Sequence, residues 1–168
     1  KAESILIVNE KQAEFAMGLI NKFGQKIAKK IKIVASSEVG KHLTKKMLKN
    51  SLGKNYLNNI ILNIDDVDGN GYYDVKDFLN MKNEEILKEN NSKRFDIVLM
   101  NPPYQQRHND NPIHFQFVEK CFEIGYNQIT IMPSRILETT SKNYDIWKEK
   151  LSKYLINAEE LSSTIFES

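Results

Sequence analysis

The chain has 168 residues, 40% of them hydrophobic, and a formal net charge of +2. That is enough apolar side chain for a core, which excludes a disordered or fibrous chain. No apolar run approaches the roughly 18 residues of a membrane span, and the opening residues lack a signal-peptide pattern.

The charge is unevenly spread. Residues 1–60 carry 12 Lys against 4 Glu, whereas the rest of the chain is net acidic. Lys26, Lys29, Lys30, Lys32, Lys41, Lys45, Lys46, Lys49 and Lys54 could line a phosphate backbone, or form solvated helix faces.

In chain order, Ile5-Leu6-Ile7-Val8 reads as a strand. The next helix is expected from about Lys11 to Phe23, with Ala13, Ala16, Met17, Ile20 and Phe23 on one face and Gly24 near its end. Ile31 to Ala35 is a second strand, and a helix from about Val39 to Ser51 closes near Gly53. Ile60 to Ile64 is a third strand, a helix or loop spans Val75 to Asn90, and Phe95 to Met100 is a fourth strand. Beyond a polar loop, Pro112 to Ile124 reads as a helix with Phe115, Val118, Cys121 and Phe122 on its apolar face. Gln128 to Met132 is a further strand, closing on Pro133-Ser134-Arg135, and Tyr144 to Leu155 a last helix carrying Ile146, Trp147, Leu151 and Leu155. Strands alternating with helices predict an α/β fold with a Rossmann-like, doubly wound, mostly parallel sheet.

The fourth strand stops at Asn101-Pro102-Pro103-Tyr104-Gln105. Two prolines cannot continue a sheet ladder, and Pro102 restricts Asn101 to extended or turn geometry. A polar and an aromatic side chain are thus held on a stiff turn at the carboxyl end of a buried strand, where open α/β sheets place their ligand chemistry. As a plain alternative, Asn-Pro-Pro is a strand-ending turn.

This turn resembles the catalytic motif of the amino-group DNA methyltransferases, particularly the N6-adenine enzymes of restriction-modification systems. The order of loop, helix, strand, Pro-Ser-Arg and Trp-bearing helix over residues 93–165 extends the resemblance. It implies S-adenosylmethionine as methyl donor and double-stranded DNA as substrate, with a cognate restriction endonuclease as a possible partner. It implies that the Asn101 side-chain oxygen and the Pro102 carbonyl accept hydrogen bonds from the exocyclic amine of a flipped adenine. Pro103 would stiffen the turn and Tyr104 would stack on the base. Gln105, Arg107 and Arg135 are the expected nucleic-acid contacts. An RNA or protein-glutamine amino-methyltransferase, or a degenerate DNA-binding fragment, would share the motif.

The donor's seat is harder to read. Asp65 to Phe78 supports three readings. Asp65-x-x-x-Gly69-x-Gly71 has the spacing of the methyltransferase glycine loop. Asp77-Phe78 matches the acidic-aromatic pair expected against the donor's adenine. Asp66, Asp68, Asn70, Gly71, Asp74 and Asp77 also fall in the register of a calcium loop. Glu10, at the end of the first strand, is a candidate ribose acceptor or an exposed helix-start acid. No glycine loop follows the first strand, so the chain is expected to be a single methyltransferase-like domain, 1–168, incomplete at its N-terminus.

The remaining candidates are weaker. His108, Asp110 and His114 match no standard zinc spacing and read as a surface loop, so no metal is expected. Ser134 has no partner pattern for a nucleophile. The single cysteine, Cys121, reads as a buried, inert thiol and predicts a cytoplasmic setting.

Overall fold

The computed structural model describes residues 2–53, 75–103, 113–133 and 142–161. Contacts divide the chain into two compact units, Lys1–Ile131 and Met132–Ser168. In the first unit, β1 (Ile5–Glu10), β2 (Ile31–Ala35), β3 (Phe95–Met100) and β4 (Gly125–Thr130) form one sheet in the order β2-β1-β3-β4. Every neighbouring pair is parallel. Ile5 lies opposite both Ile31 and Ile97, so the isoleucines of three strands stack in one row.

Among the described residues, the helices of this unit are α1 (Glu14–Phe23), α2 (Glu38–Leu52), α3 (Asp77–Asn80), α4 (Asn83–Lys88) and α5 (His114–Ile124), with a 3-10 turn over Gln25–Lys30. The chain is therefore a Rossmann-like α/β fold. Helix α2 starts where the Ser37 hydroxyl accepts from the Gly40 amide at 3.1 Å, satisfying one orphan donor of its first turn. Helices α1 and α2 stop at Gly24 and Gly53, whose φ values of 83° and 84° suit glycine.

Ile5, Ile7, Ile31 and Ile33 pack with Ala13, Ala16, Ile20, Ala28 and Leu48 on one face of the sheet. Strand β1 is buried almost throughout, as a parallel sheet covered on both faces requires. The chain turns one way from β1 to β2 and the opposite way from β3 to β4. Right-handed crossovers then put α1 and α5 on opposite faces. The reversal falls between β1 and β3, so these two strands flank the topological switch point.

Several expected elements move. Strand β4 begins at Gly125, three residues before the expected start, because α5 feeds straight into it. The Gly125 amide closes the helix on the Cys121 carbonyl, and a Cβ here would stand 2.5 Å from Val98 Cγ2. Arg94 holds the junction by donating to the Phe122 and Gly125 carbonyls, with its guanidinium 4.7 Å from the Tyr126 ring centre. Tyr126 and Ile129 are exposed on β4, so the apolar run does not mark where this strand begins.

Helix α1 starts at Glu14 and not near Lys11, because Lys11 to Ala13 bend the chain between β1 and the helix. Phe23, expected on the buried face, is exposed. Val75 to Asn90 resolves into the short helices α3 and α4. His114 is fully buried as the first residue of α5, because its ring packs on Phe115, with centroids 4.3 Å apart, so it is no surface-loop residue. Ile60 to Ile64 lies outside the described residues.

The second unit contains α6 (Lys142–Ser152), with Ile146 exposed and Trp147 half-buried. Leu155, expected within this helix, lies past its end and is exposed. No helix among the described residues is long and apolar enough to cross a membrane.

Candidate functional site

At the carboxyl end of β3, Asn101 is half-buried, Pro102 buried and Pro103 half-buried. The last residue pair between β1 and β3 is Val8 opposite Met100. Asn9 and Asn101 therefore occupy the next positions, facing each other across the switch point. Pro102 and Pro103 lack the N–H donors that would extend the ladder. On the other side the Met100 carbonyl accepts from the Ile131 amide at 3.0 Å, so β3 is held on both flanks up to its last residue.

Asn9 is where β1 departs from regularity. The register against β2 shifts between Val8 and Glu10, and Asn9 has a φ of 68°. Asparagine tolerates this left-handed geometry better than most residues. The resulting bulge re-aims its side chain, and Nδ2 donates to the backbone carbonyl of Asn101. Sequence reasoning missed this residue. Its only signal was an Asn at a strand end where no glycine supplies a positive φ.

Glu10 turns away from β3. Its carboxyl accepts from the amides of Glu14 and Phe15, both at 3.1 Å, and of Ala16 at 3.3 Å. It thereby occupies the first turn of α1, whose N-cap Ala13 has a φ of 67°. Burial raises the Glu10 pKa from 4.5 to about 8, with the hydrogen-bonded Glu14 carboxyl beside it adding to the rise; the Ala16 and Phe15 amides pull the other way. Glu10 is 1% exposed and its carboxyl is taken up by the α1 amides, so it is not a helix-start acid in solvent.

Segment 75–78 is tied to the carboxyl end of β2, where the Val75 amide donates to Ser36 O at 3.1 Å. Asp77 and Phe78 follow, both buried. The Phe78 ring lies parallel to Phe117, with centroids 6.2 Å apart, and Lys120 Nζ stands 5.6 Å from its centre. Lys120 also donates to the Leu79 and Met81 carbonyls at 3.1 and 2.6 Å. Phe78 is thus engaged by the chain's own core and presents no open ring.

The fold brings Asn101, Pro102 and Pro103 to the switch point. Tyr104, Gln105, Arg107, Arg135 and Asp65 lie outside the described residues, as do His108, Asp110, the glycine pair at 69 and 71, and Asp66 to Asp74 of the calcium register. Among the described residues no group of three His, Cys, Asp or Glu side chains could hold a metal. Cys121 is buried, which pushes its thiol pKa up to about 12 and leaves it inert. Of the lysines expected along a phosphate backbone, Lys30 pairs with Glu3 at 2.8 Å, Lys32 with Glu89 at 3.0 Å and Lys41 with Glu38 at 3.8 Å. Exposed pairs of this kind contribute little to stability, but they leave less positive charge facing outward.

The turn after β1 does not fit a methyl donor that carries its own carboxylate. A protein carboxyl already fills the α1 amides, and Ala13 stands where a close backbone approach would need glycine. Gly40 packs this turn from behind: a Cβ on it would meet Ser36 Oγ at 2.6 Å and the Glu10 and Lys11 carbonyls at 3.4 Å.

A parallel α/β sheet with an Asn-Pro-Pro turn at its switch point defines the class: a Rossmann-like domain with hydrogen-bond acceptors held at a strand end. A family model, Eco57I restriction-modification methylase, matches residues 19–165, and the chain belongs to that family. The match takes in β3 and its Asn-Pro-Pro turn but begins after β1 and the Glu10 turn. No curated protein and no solved structure matches the chain.

Proposed function

We propose that the chain acts on DNA as an adenine-specific methyltransferase of a restriction-modification system, transferring a methyl group to N6 of a flipped adenine. The observation that carries this reading is the Asn101 turn at the switch point. The adenine amine is a poor nucleophile because its lone pair is delocalised into the ring. The Asn101 side-chain oxygen and the Pro102 carbonyl would accept its two hydrogens and draw the nitrogen toward tetrahedral geometry. Because both acceptors stand on a proline-stiffened strand end, little reorganisation accompanies the reaction. Tyr104 would stack on the extruded base, and Gln105, Arg107 and Arg135 would contact the nucleic acid.

S-adenosylmethionine is the donor that goes with this chemistry; its role is to supply an electrophilic methyl group. Its seat lies away from the β1–α1 turn, with Asp65 and Asp77 as the candidates to accept from it. Duplex DNA is the substrate, and a cognate restriction endonuclease the functional counterpart. The test is Asn101→Ala. Methylation of duplex DNA should fall by about 100- to 1,000-fold while the circular dichroism spectrum and melting temperature stay those of the wild type. Retained adenine methylation in that variant would sink the assignment.

The filled turn after β1 favours a second reading, in which the chain binds DNA but does not carry its own donor. Isothermal titration with S-adenosylmethionine separates the two. Saturable binding supports the enzyme, and no heat at millimolar ligand supports the second reading.

A further inference from the structure

We infer that Asn9 is a positioning residue for the Asn101 turn, holding the Asn101–Pro102 peptide in one orientation. This rests on the adenine-amine reading of Asn101. The Asn101–Pro102 peptide has no N–H, so its carbonyl is its one hydrogen-bonding group. The proline ring fixes φ on the far side, which leaves ψ of Asn101 as the soft torsion between β3 and the turn. A following proline narrows that ψ but still allows a range of tens of degrees, about 120° to 160°. A donor fixed on β1 and bonded to this carbonyl removes the remaining freedom. The two acceptors of the proposed reaction, the Asn101 side chain and the Pro102 carbonyl, branch from the two Cα atoms that flank that peptide plane, so its orientation bears on where both stand.

Asn9 is built for this. It sits one residue past the last β1–β3 pair, at the register shift of β1. Its φ of 68° turns the side chain toward β3, and Nδ2 donates to Asn101 O. Glycine would give the bulge its backbone geometry without strain. A residue that keeps a side-chain donor there is explained by the carbonyl it reaches. The neighbouring backbone is served by other groups, since the Glu10 carbonyl accepts from the Ser36 amide at 2.9 Å and the Glu10 carboxyl caps α1. Asn9 is therefore spare for β3.

The experiment compares wild type, Asn9→Gly and Asn9→Asp in the intact protein. Glycine keeps the positive φ and removes the donor, whereas aspartate keeps the shape and replaces the donor with an acceptor. In both variants kcat for adenine methylation should fall by about 100-fold, with KM for duplex DNA and the melting temperature close to wild type. The Asn101 side-chain amide resonances should move in the ¹⁵N spectrum of both. A kcat within about twofold of wild type, or a rise in KM with kcat unchanged, overturns the inference. Asn101 resonances that stay at their wild-type positions also overturn it. If the wild type does not methylate adenine, the reading of Asn101 fails instead, and the resonance positions alone decide whether Asn9 holds the turn.

Discussion

At the scale of single residues, the site is a contrast between two neighbours on β1. Asn9 reaches toward β3 and Glu10 turns back onto α1, because the register shift at Asn9 puts them on different sides of the strand end. Glu10 also makes stability depend on pH. Its folded pKa of about 8 lies above its ordinary 4.5, so the folded chain holds a proton that the unfolded chain releases near pH 4.5. Its contribution is complete below that pH and is lost as pH rises through 8. The melting temperature of the wild type should therefore fall between pH 5 and 8.5 more steeply than that of Glu10→Gln, as scanning calorimetry can measure. Equal slopes in the two proteins would show that Glu10 stays ionised in the fold.

The Asn101 turn was legible in the sequence because prolines constrain the backbone locally, whatever surrounds them. Glu10 and Phe78 were not legible as core residues. An acid bonded to a helix's first turn and a phenylalanine stacked on Phe117 look the same in sequence as groups that wait for a ligand. Only the partners across the fold, the α1 amides and the Phe117 ring, tell them apart.

At the scale of elements, strands β1, β2 and β3 were readable because each is a short, largely apolar run, with β1 buried almost throughout and β3 about half buried. Strand β4 was displaced because polar residues open it. What fixes its start is contact, not hydropathy: Gly125 lets the α5 exit approach Val98. Gly125→Ala should force the new methyl group against Val98 Cγ2, 2.5 Å away, and cost about 1–3 kcal/mol. Urea unfolding would read this as a lower midpoint with an unchanged slope. The start of α1 was misjudged for a related reason. Ala13 favours helix by propensity, but its φ of 67° places it in the turn that Glu10 closes. Tertiary packing overrides propensity there.

At the scale of the whole molecule, strand order gives the motif its meaning. The strand order reverses between β1 and β3, and ligands of open α/β sheets bind at the carboxyl ends flanking such a reversal. The sequence showed alternating strands and helices but not their order across the sheet, since pairing between residues about ninety positions apart, as between Ile5 and Ile97, leaves no local trace. Substrate class is decided at this scale too. Equal masses of duplex DNA, RNA and a glutamine-bearing peptide offered together should compete unequally, with duplex DNA labelled first.

The most direct measurement digests duplex DNA, after incubation with the protein and isotopically labelled S-adenosylmethionine, to nucleosides and identifies the labelled one by mass spectrometry. The predicted result is label in N6-methyl-2′-deoxyadenosine from the wild-type protein and at least about 100-fold less from Asn101→Ala. Label in a methylated cytosine, or adenine labelling that stays near the wild-type level without Asn101, would contradict an adenine amine held by the Asn101 turn.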